Sequence, residues 1–160
     1  LITDDIEKFA ELFKKSLFIF IDRDINEIAT SILSARNKQN NPEKFWGSIP
    51  RNINFKKLIK KNKIDQIIDQ IVFLRKHYSE IIQKIPRKRL LLTSYEELCS
   101  NPNYLLGELE GLSKDINGKI KILSSSAVFK KKSYEPFPEG IELIKKLKRK
   151  KINKYLLDSN

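Results

Sequence analysis

This chain predicts an α/β fold, with a parallel sheet flanked by helices, on three observations. Two short apolar runs, SLFIFI at 16–21 and RLLLTS at 89–94, read as buried parallel strands, too uniformly apolar for a surface sheet. Each run is followed by helix-like spacing of its apolar residues. The composition is that of a globular domain, 40% apolar and 32% charged over 160 residues.

The elements follow in order. In DDIEKFAELFKK, residues Ile6, Phe9, Ala10 and Phe13 form one helical stripe, with Asp4 as the expected cap and Glu7 three residues on, as in a capping box. SLFIFI is then the first strand. Ile25, Ile28, Ala29, Ile32 and Leu33 make the next stripe, with Asp24 or Asn26 as its start signal. The polar stretch NKQNNPEKFWGSIP is a connector around Trp46, closed by Pro50. Ile64, Ile67, Ile68, Ile71, Leu74, Tyr78, Ile81 and Ile85 keep the 3.6-residue period of a long helix, which Pro86 ends.

RLLLTS is the second strand, and YEELCSNP is a turn or short helix. YLLGELEGLS is a short helix with Gly111 near its end; KIKILSSSAVF is a strand or a loop; PEGIELIKKLKRK is a last helix with Pro138 near its start. The reading is therefore one α/β domain over residues 1–160. Two strands are fewer than a doubly wound sheet normally has, so further strands are expected upstream of Leu1.

Charge and special residues narrow the function. A net charge of +12 draws anions: nucleic acid, nucleotide phosphates, phosphorylated or sulfated substrates, or acidic lipid. Much of it lies in IELIKKLKRKKINK, either a solvated face or a polyanion-binding tail. The single cysteine, Cys99, excludes an internal disulfide and a cysteine-based zinc site, and reads as a buried turn residue. No run approaches the length of a membrane span, and no N-glycosylation sequon occurs. A cytoplasmic location is expected.

The stretch FIFIDRDINEIATS carries the main functional signal. Arg23 sits at the carboxyl end of the first strand, where open α/β sheets bind ligands. The next helix turns its N-terminal dipole to an anion, a guanidinium forks onto a phosphate, and Ser31 can add a hydroxyl eight positions on. The alternative is that Arg23 pairs with Asp24 or Glu27 and Ser31 fills a surface position. His77, the only histidine, lies mid-helix, where nothing brings it to a strand end; it reads as a stripe-edge residue.

FIFIDRDINEIATS resembles the 3′-phosphate-binding segment of sulfotransferases that use 3′-phosphoadenosine 5′-phosphosulfate, where an apolar strand ends in Arg and a Ser follows eight positions later. Arg23 and Ser31 match that pattern. RLLLTSYEELCSNPNYLLGELEGL is similar to the family's second recurrent segment, a strand running into Tyr-Glu-Asp-Leu and a turn with Pro; Tyr95-Glu96-Glu97-Leu98 and Pro102 match it. Trp46 stands where many bacterial members carry a tryptophan. The resemblance covers residues 4–112 and implies a P-loop-like sheet, a nucleotide donor and a sulfuryl-transfer activity. It implies cofactor-binding roles for Arg23, Ser31 and Tyr95, with Tyr95 at the adenine edge. Phe129 and Lys130, in the late basic loop, are added by analogy with a family loop near the 3′-phosphate.

Ile25 replaces the family's usual proline, and the Gly-rich 5′-phosphosulfate loop and the catalytic base are not among these residues. Both are expected upstream of Leu1, so this stretch alone is expected not to catalyse transfer. The expected acceptor is a small molecule or glycan, with no metal and no nucleic acid. Two other functions remain open on the sequence: a basic nucleic-acid-binding module, and a P-loop kinase-like phosphotransferase.

Overall fold

The computed structural model describes residues 5–40, 55–121, 129–135, 137–150 and 152. Its elements are α1 (Ile6–Leu12), β1 (Phe18–Asp22), α2 (Ile25–Asn37), α3 (Phe55–Leu58), α4 (Lys63–Lys84), β2 (Leu90–Ser94), α5 (Tyr95–Ser100), α6 (Pro102–Asp115) and α7 (Pro138–Arg149), with a 3-10 turn at Arg87–Arg89 before β2. The chain divides into two compact units. One, here the helical unit, takes Asp24–Tyr78 and Ser133–Asn160; the other, the sheet unit, takes Ile2–Arg23 and Ser79–Lys132. Trp46 and Pro50 lie outside the described residues.

In the helical unit the apolar stripes meet. Ile25, Ala29 and Leu33 of α2 pack with Ile64, Ile67, Ile68 and Ile71 of α4 and with Leu143 and Leu147 of α7. These are the i, i+4 positions of each helix, so burying them follows directly from the 3.6 period. Leu33, Ile67 and Leu143 are wholly buried, each contributing roughly 1.5–3 kcal/mol. Asp24 starts α2: its carboxylate accepts from the Asn26 N–H at 2.8 Å. Pro138 occupies the first turn of α7, where its missing N–H costs nothing.

A buried polar cluster crosses this core. The Arg36 guanidinium donates to the side-chain oxygens of Gln66 at 2.8 Å and Gln70 at 3.1 Å. Near the start of α7, Glu139 accepts from Asn37 Nδ2 at 2.9 Å and pairs with Lys63 at 2.7 Å. Burial pushes the Glu139 carboxyl up, but the hydrogen bonds from Lys63 and Asn37 outweigh it and leave its pKa lowered.

In the sheet unit β1 and β2 pair in parallel, as the two apolar runs predict. The register sets Phe18 against Leu90, Phe20 against Leu92 and Asp22 against Ser94. The strand pair starts later than the apolar runs because the 3-10 turn takes Arg87–Arg89. Arg89 is buried and binds the end of α1. Its Nη1 donates to the Ala10 carbonyl at 2.7 Å, its Nη2 to the Phe13 carbonyl at 2.6 Å, and its Nε to the Ser16 carbonyl at 3.0 Å. Those carbonyls belong to a helix C-terminus and the turn after it, which a cation suits.

The structure refines the expected helix ends and changes the expected burial of the first strand. The first helix is capped at Asp5, with no side-chain cap bond, and Asp4 lies outside the described residues. The first strand is not buried on both faces: Ile19 is 50% and Ile21 46% exposed, while Asp22 is buried. Gly111 lies near the end of α6, as expected, and the helix runs on to Asp115 and stops at Asn117 and Gly118. There Asn117 takes φ 53°, its N–H bonds the Lys114 carbonyl at 3.0 Å, and the Gly118 N–H bonds the Ser113 carbonyl at 2.7 Å, the paired bonds of a Schellman stop. Residues 119–121 carry no regular structure, and 122–128, the rest of the strand-or-loop stretch before Phe129, fall outside the described residues.

Candidate functional site

Parallel pairing in register brings the carboxyl ends of β1 and β2 to the same level, with Arg23 and Tyr95 as the next residues. The Arg23 guanidinium carbon stands 4.4 Å from the centre of the Tyr95 ring, within cation–π range. Its Nη2 donates to the Lys132 carbonyl at 2.7 Å, and the Lys132 N–H donates to the Tyr95 hydroxyl at 3.4 Å. The main chain of Lys132 is thus held at its carbonyl and at its N–H by the two residues that follow the strands. Lys131 is tied to the same place by Glu96, 3.1 Å away.

The local reasons are plain. Ser94 caps α5, its hydroxyl accepting the Glu97 N–H at 3.0 Å, so Tyr95 begins a helix just as the strand ends. The Glu97 carboxylate accepts from Thr93 Oγ1 at 2.9 Å. Glu96 is thus in an ion pair with a lysine and Glu97 sits at the start of the turn. Chemically the strand ends offer a cation lying on an aromatic face, with a basic main-chain segment beside it. The guanidinium is a planar fork of N–H donors, and it donates to the Lys132 carbonyl.

Of the residues expected to bind the nucleotide, Arg23 and Tyr95 come together directly. Phe129 lies in the same unit, half exposed, and Lys130 stands exposed after it. The lysines that dock are Lys131, through its side chain, and Lys132, through its main chain; the run FKKKSY held that signal, but spacing could not say which lysine. Ser31 belongs to the helical unit, where its hydroxyl lies 2.8 Å from the Tyr134 hydroxyl. Tyr134 went unnoticed in the sequence, and a contact 103 residues apart leaves no local pattern.

His77 stacks on Phe73, ring centres 6.2 Å apart, on α4. Cys99 is half-buried on α5 rather than buried in a turn. Among the described residues no three His, Cys, Asp or Glu side chains are grouped to hold a metal ion, and no helix is long and apolar enough to cross a membrane. No known protein family, no curated protein and no solved structure matches the chain.

Proposed function

We propose that the ends of β1 and β2 form the 3′-phosphate side of a site for 3′-phosphoadenosine 5′-phosphosulfate, and that the protein is a sulfotransferase. The acceptor class is a hydroxyl or amine of a small molecule or glycan, and the site of action is the cytoplasm. The observation that carries the reading is Arg23 at the end of one parallel strand, stacked on Tyr95 at the end of the other. The two-segment resemblance picks out the same two residues.

When bound, the donor supplies the sulfuryl group, which passes to the acceptor by in-line displacement. The roles of this chain's residues follow from their chemistry. Arg23 forks onto a phosphate and holds the nucleotide half fixed, the positioning on which such transfers depend. Tyr95 holds the guanidinium over its ring and presents an aromatic edge to a base. Lys130 adds positive charge to the same end of the sheet. No residue here is assigned as the catalytic base.

The test is calorimetry with adenosine 3′,5′-bisphosphate. Binding of about micromolar strength, roughly −8 kcal/mol, is expected. Arg23→Ala should weaken it by about 2–3 kcal/mol, the loss of a charge-assisted pair of hydrogen bonds. Unchanged binding in Arg23→Ala, or equal affinity for adenosine 5′-phosphate, overturns the proposal.

A further inference from the structure

Three large apolar side chains stand out from the end of α1. Phe9, Leu12 and Phe13 are 39%, 77% and 55% exposed, and their i, i+3, i+4 spacing puts them on one edge of the helix. The Phe9 and Phe13 rings stack, their centres 5.6 Å apart. The residue that α1 buries is Ala10, so the helix is seated by one edge and shows bulkier apolar residues on the next. This wedge is also held in place. Arg89 donates to the Ala10 and Phe13 carbonyls, Lys84 pairs with Glu7, and the Phe13 N–H closes onto the Phe9 carbonyl at 2.9 Å. A surface fixed in this way loses little freedom on contact.

Positive charge adjoins the wedge. A shallow depression is lined by Phe13, Lys14, Lys15 and Ser16, so both lysines share that surface with Phe13. Both are exposed, and neither is in an ion pair among the described residues. The acids of this stretch do not cancel them. Asp5 pairs with Lys8 and Glu7 with Lys84, while Glu11 falls about 160° round the helix from Phe9.

Area and charge together select the occupant. The exposed surface of the three apolar side chains comes to roughly 300 Å², against about 800 Å² that each partner of a stable dimer buries. Two copies carrying +12 each also repel. A lipid surface needs no matching area, because a few apolar side chains entering it and a few cations above it suffice.

We propose that the end of α1 is the contact by which this protein rests on an acidic lipid surface. Phe9, Leu12 and Phe13 enter the boundary between headgroups and acyl chains, and Lys14 and Lys15 lie on the anionic headgroups. This goes beyond the nucleotide reading and does not depend on it.

The probe is vesicles of phosphatidylcholine, alone or with about one third phosphatidylglycerol, sedimented with the full chain. The protein should partition onto the acidic vesicles and stay off the neutral ones. Lys14→Gln with Lys15→Gln should weaken partitioning by roughly 25-fold, about fivefold per lysine, the equivalent of about 1 kcal/mol each. Leu12→Glu should weaken it at least about tenfold. Leu12 is so exposed that the variant should keep the wild-type circular dichroism. Leu12→Trp should keep partitioning and shift its emission to the blue on acidic vesicles, against the Trp46 baseline. An equal loss of charge elsewhere, Lys145→Gln with Lys148→Gln on α7, should change partitioning by less than about twofold.

Equal partitioning onto neutral vesicles, undiminished partitioning of Leu12→Glu, no blue shift in Leu12→Trp, or an equal loss from the α7 pair overturns the inference. So does a dimer in sedimentation velocity that Leu12→Glu dissociates and acidic vesicles leave intact, since a second copy would then cover the wedge.

Discussion

Arginines in this chain work as directional forks, and a lysine cannot replace them. Arg89 is the clearest case, because one side chain reaches three main-chain carbonyls and the Ser16 hydroxyl. Arg89→Ala should cost about 3 kcal/mol, since it leaves helix-end carbonyls without donors, and Arg89→Lys should recover less than half of it. Urea midpoints at constant m-value check this; full recovery by lysine would mean that charge, not the fork, matters. Glu139 ties stability to pH. Its pKa is lowered in the folded state, so its contribution is present above the ordinary carboxylate pKa and fades as pH falls through the folded value. Glu139→Gln should lower stability by under about 1 kcal/mol at neutral pH, as for a partly exposed pair. The difference should close in strong acid, and a deficit that persists there would show that the pair is not its source.

At the scale of elements, helix ends that carry a local signal were the ones foreseen. Asp24 before α2 announces itself because an N-terminal cap is one side chain acting on an N–H two or three residues away, and Pro138 at the head of α7 because its fixed φ and missing N–H suit a first turn. Gly111 marked the region where α6 ends but not the residue, since a glycine within a helix and one past its end look alike in one dimension. The actual stop puts Asn117, not a glycine, in the left-handed region. Asn117→Gly should therefore raise stability by up to about 0.5–1 kcal/mol, and Asn117→Val should lower it by at least as much. Thermal melts of the two variants decide it, and a loss in Asn117→Gly would mean that the asparagine side chain contributes something glycine cannot. The strand runs were legible in type, because apolar β-branched and aromatic clusters permit little else. Their exposure was not: β1 shows one face to solvent, and that depends on which elements come to lie over it.

Across the whole molecule, the excess of positive charge sets the field in which any anion arrives. With a net charge of +12, affinity for adenosine 3′,5′-bisphosphate should fall roughly tenfold between about 0.1 and 1 M salt, as the Debye length shrinks from about 10 to 3 Å. Calorimetry over that range tests it, and salt-independent binding would show that short contacts alone account for the affinity.

The sequence by itself determined the kinds of element and their order, because periodicity, caps and prolines act within a turn or two of chain. It determined the parallel pairing of the two apolar runs as well, since strands joined through intervening helices pair that way. It also marked Arg23 and Tyr95, each standing just past an apolar run. Only the tertiary structure decided that Arg23 lies on the Tyr95 ring, that Lys132 offers its backbone between them, that Ser31 meets Tyr134, and that Ile19 and Ile21 floor a groove. The physical reason is sequence separation. These contacts join residues up to about a hundred positions apart, their geometry comes from packing, and packing leaves no periodic trace in the chain it folds.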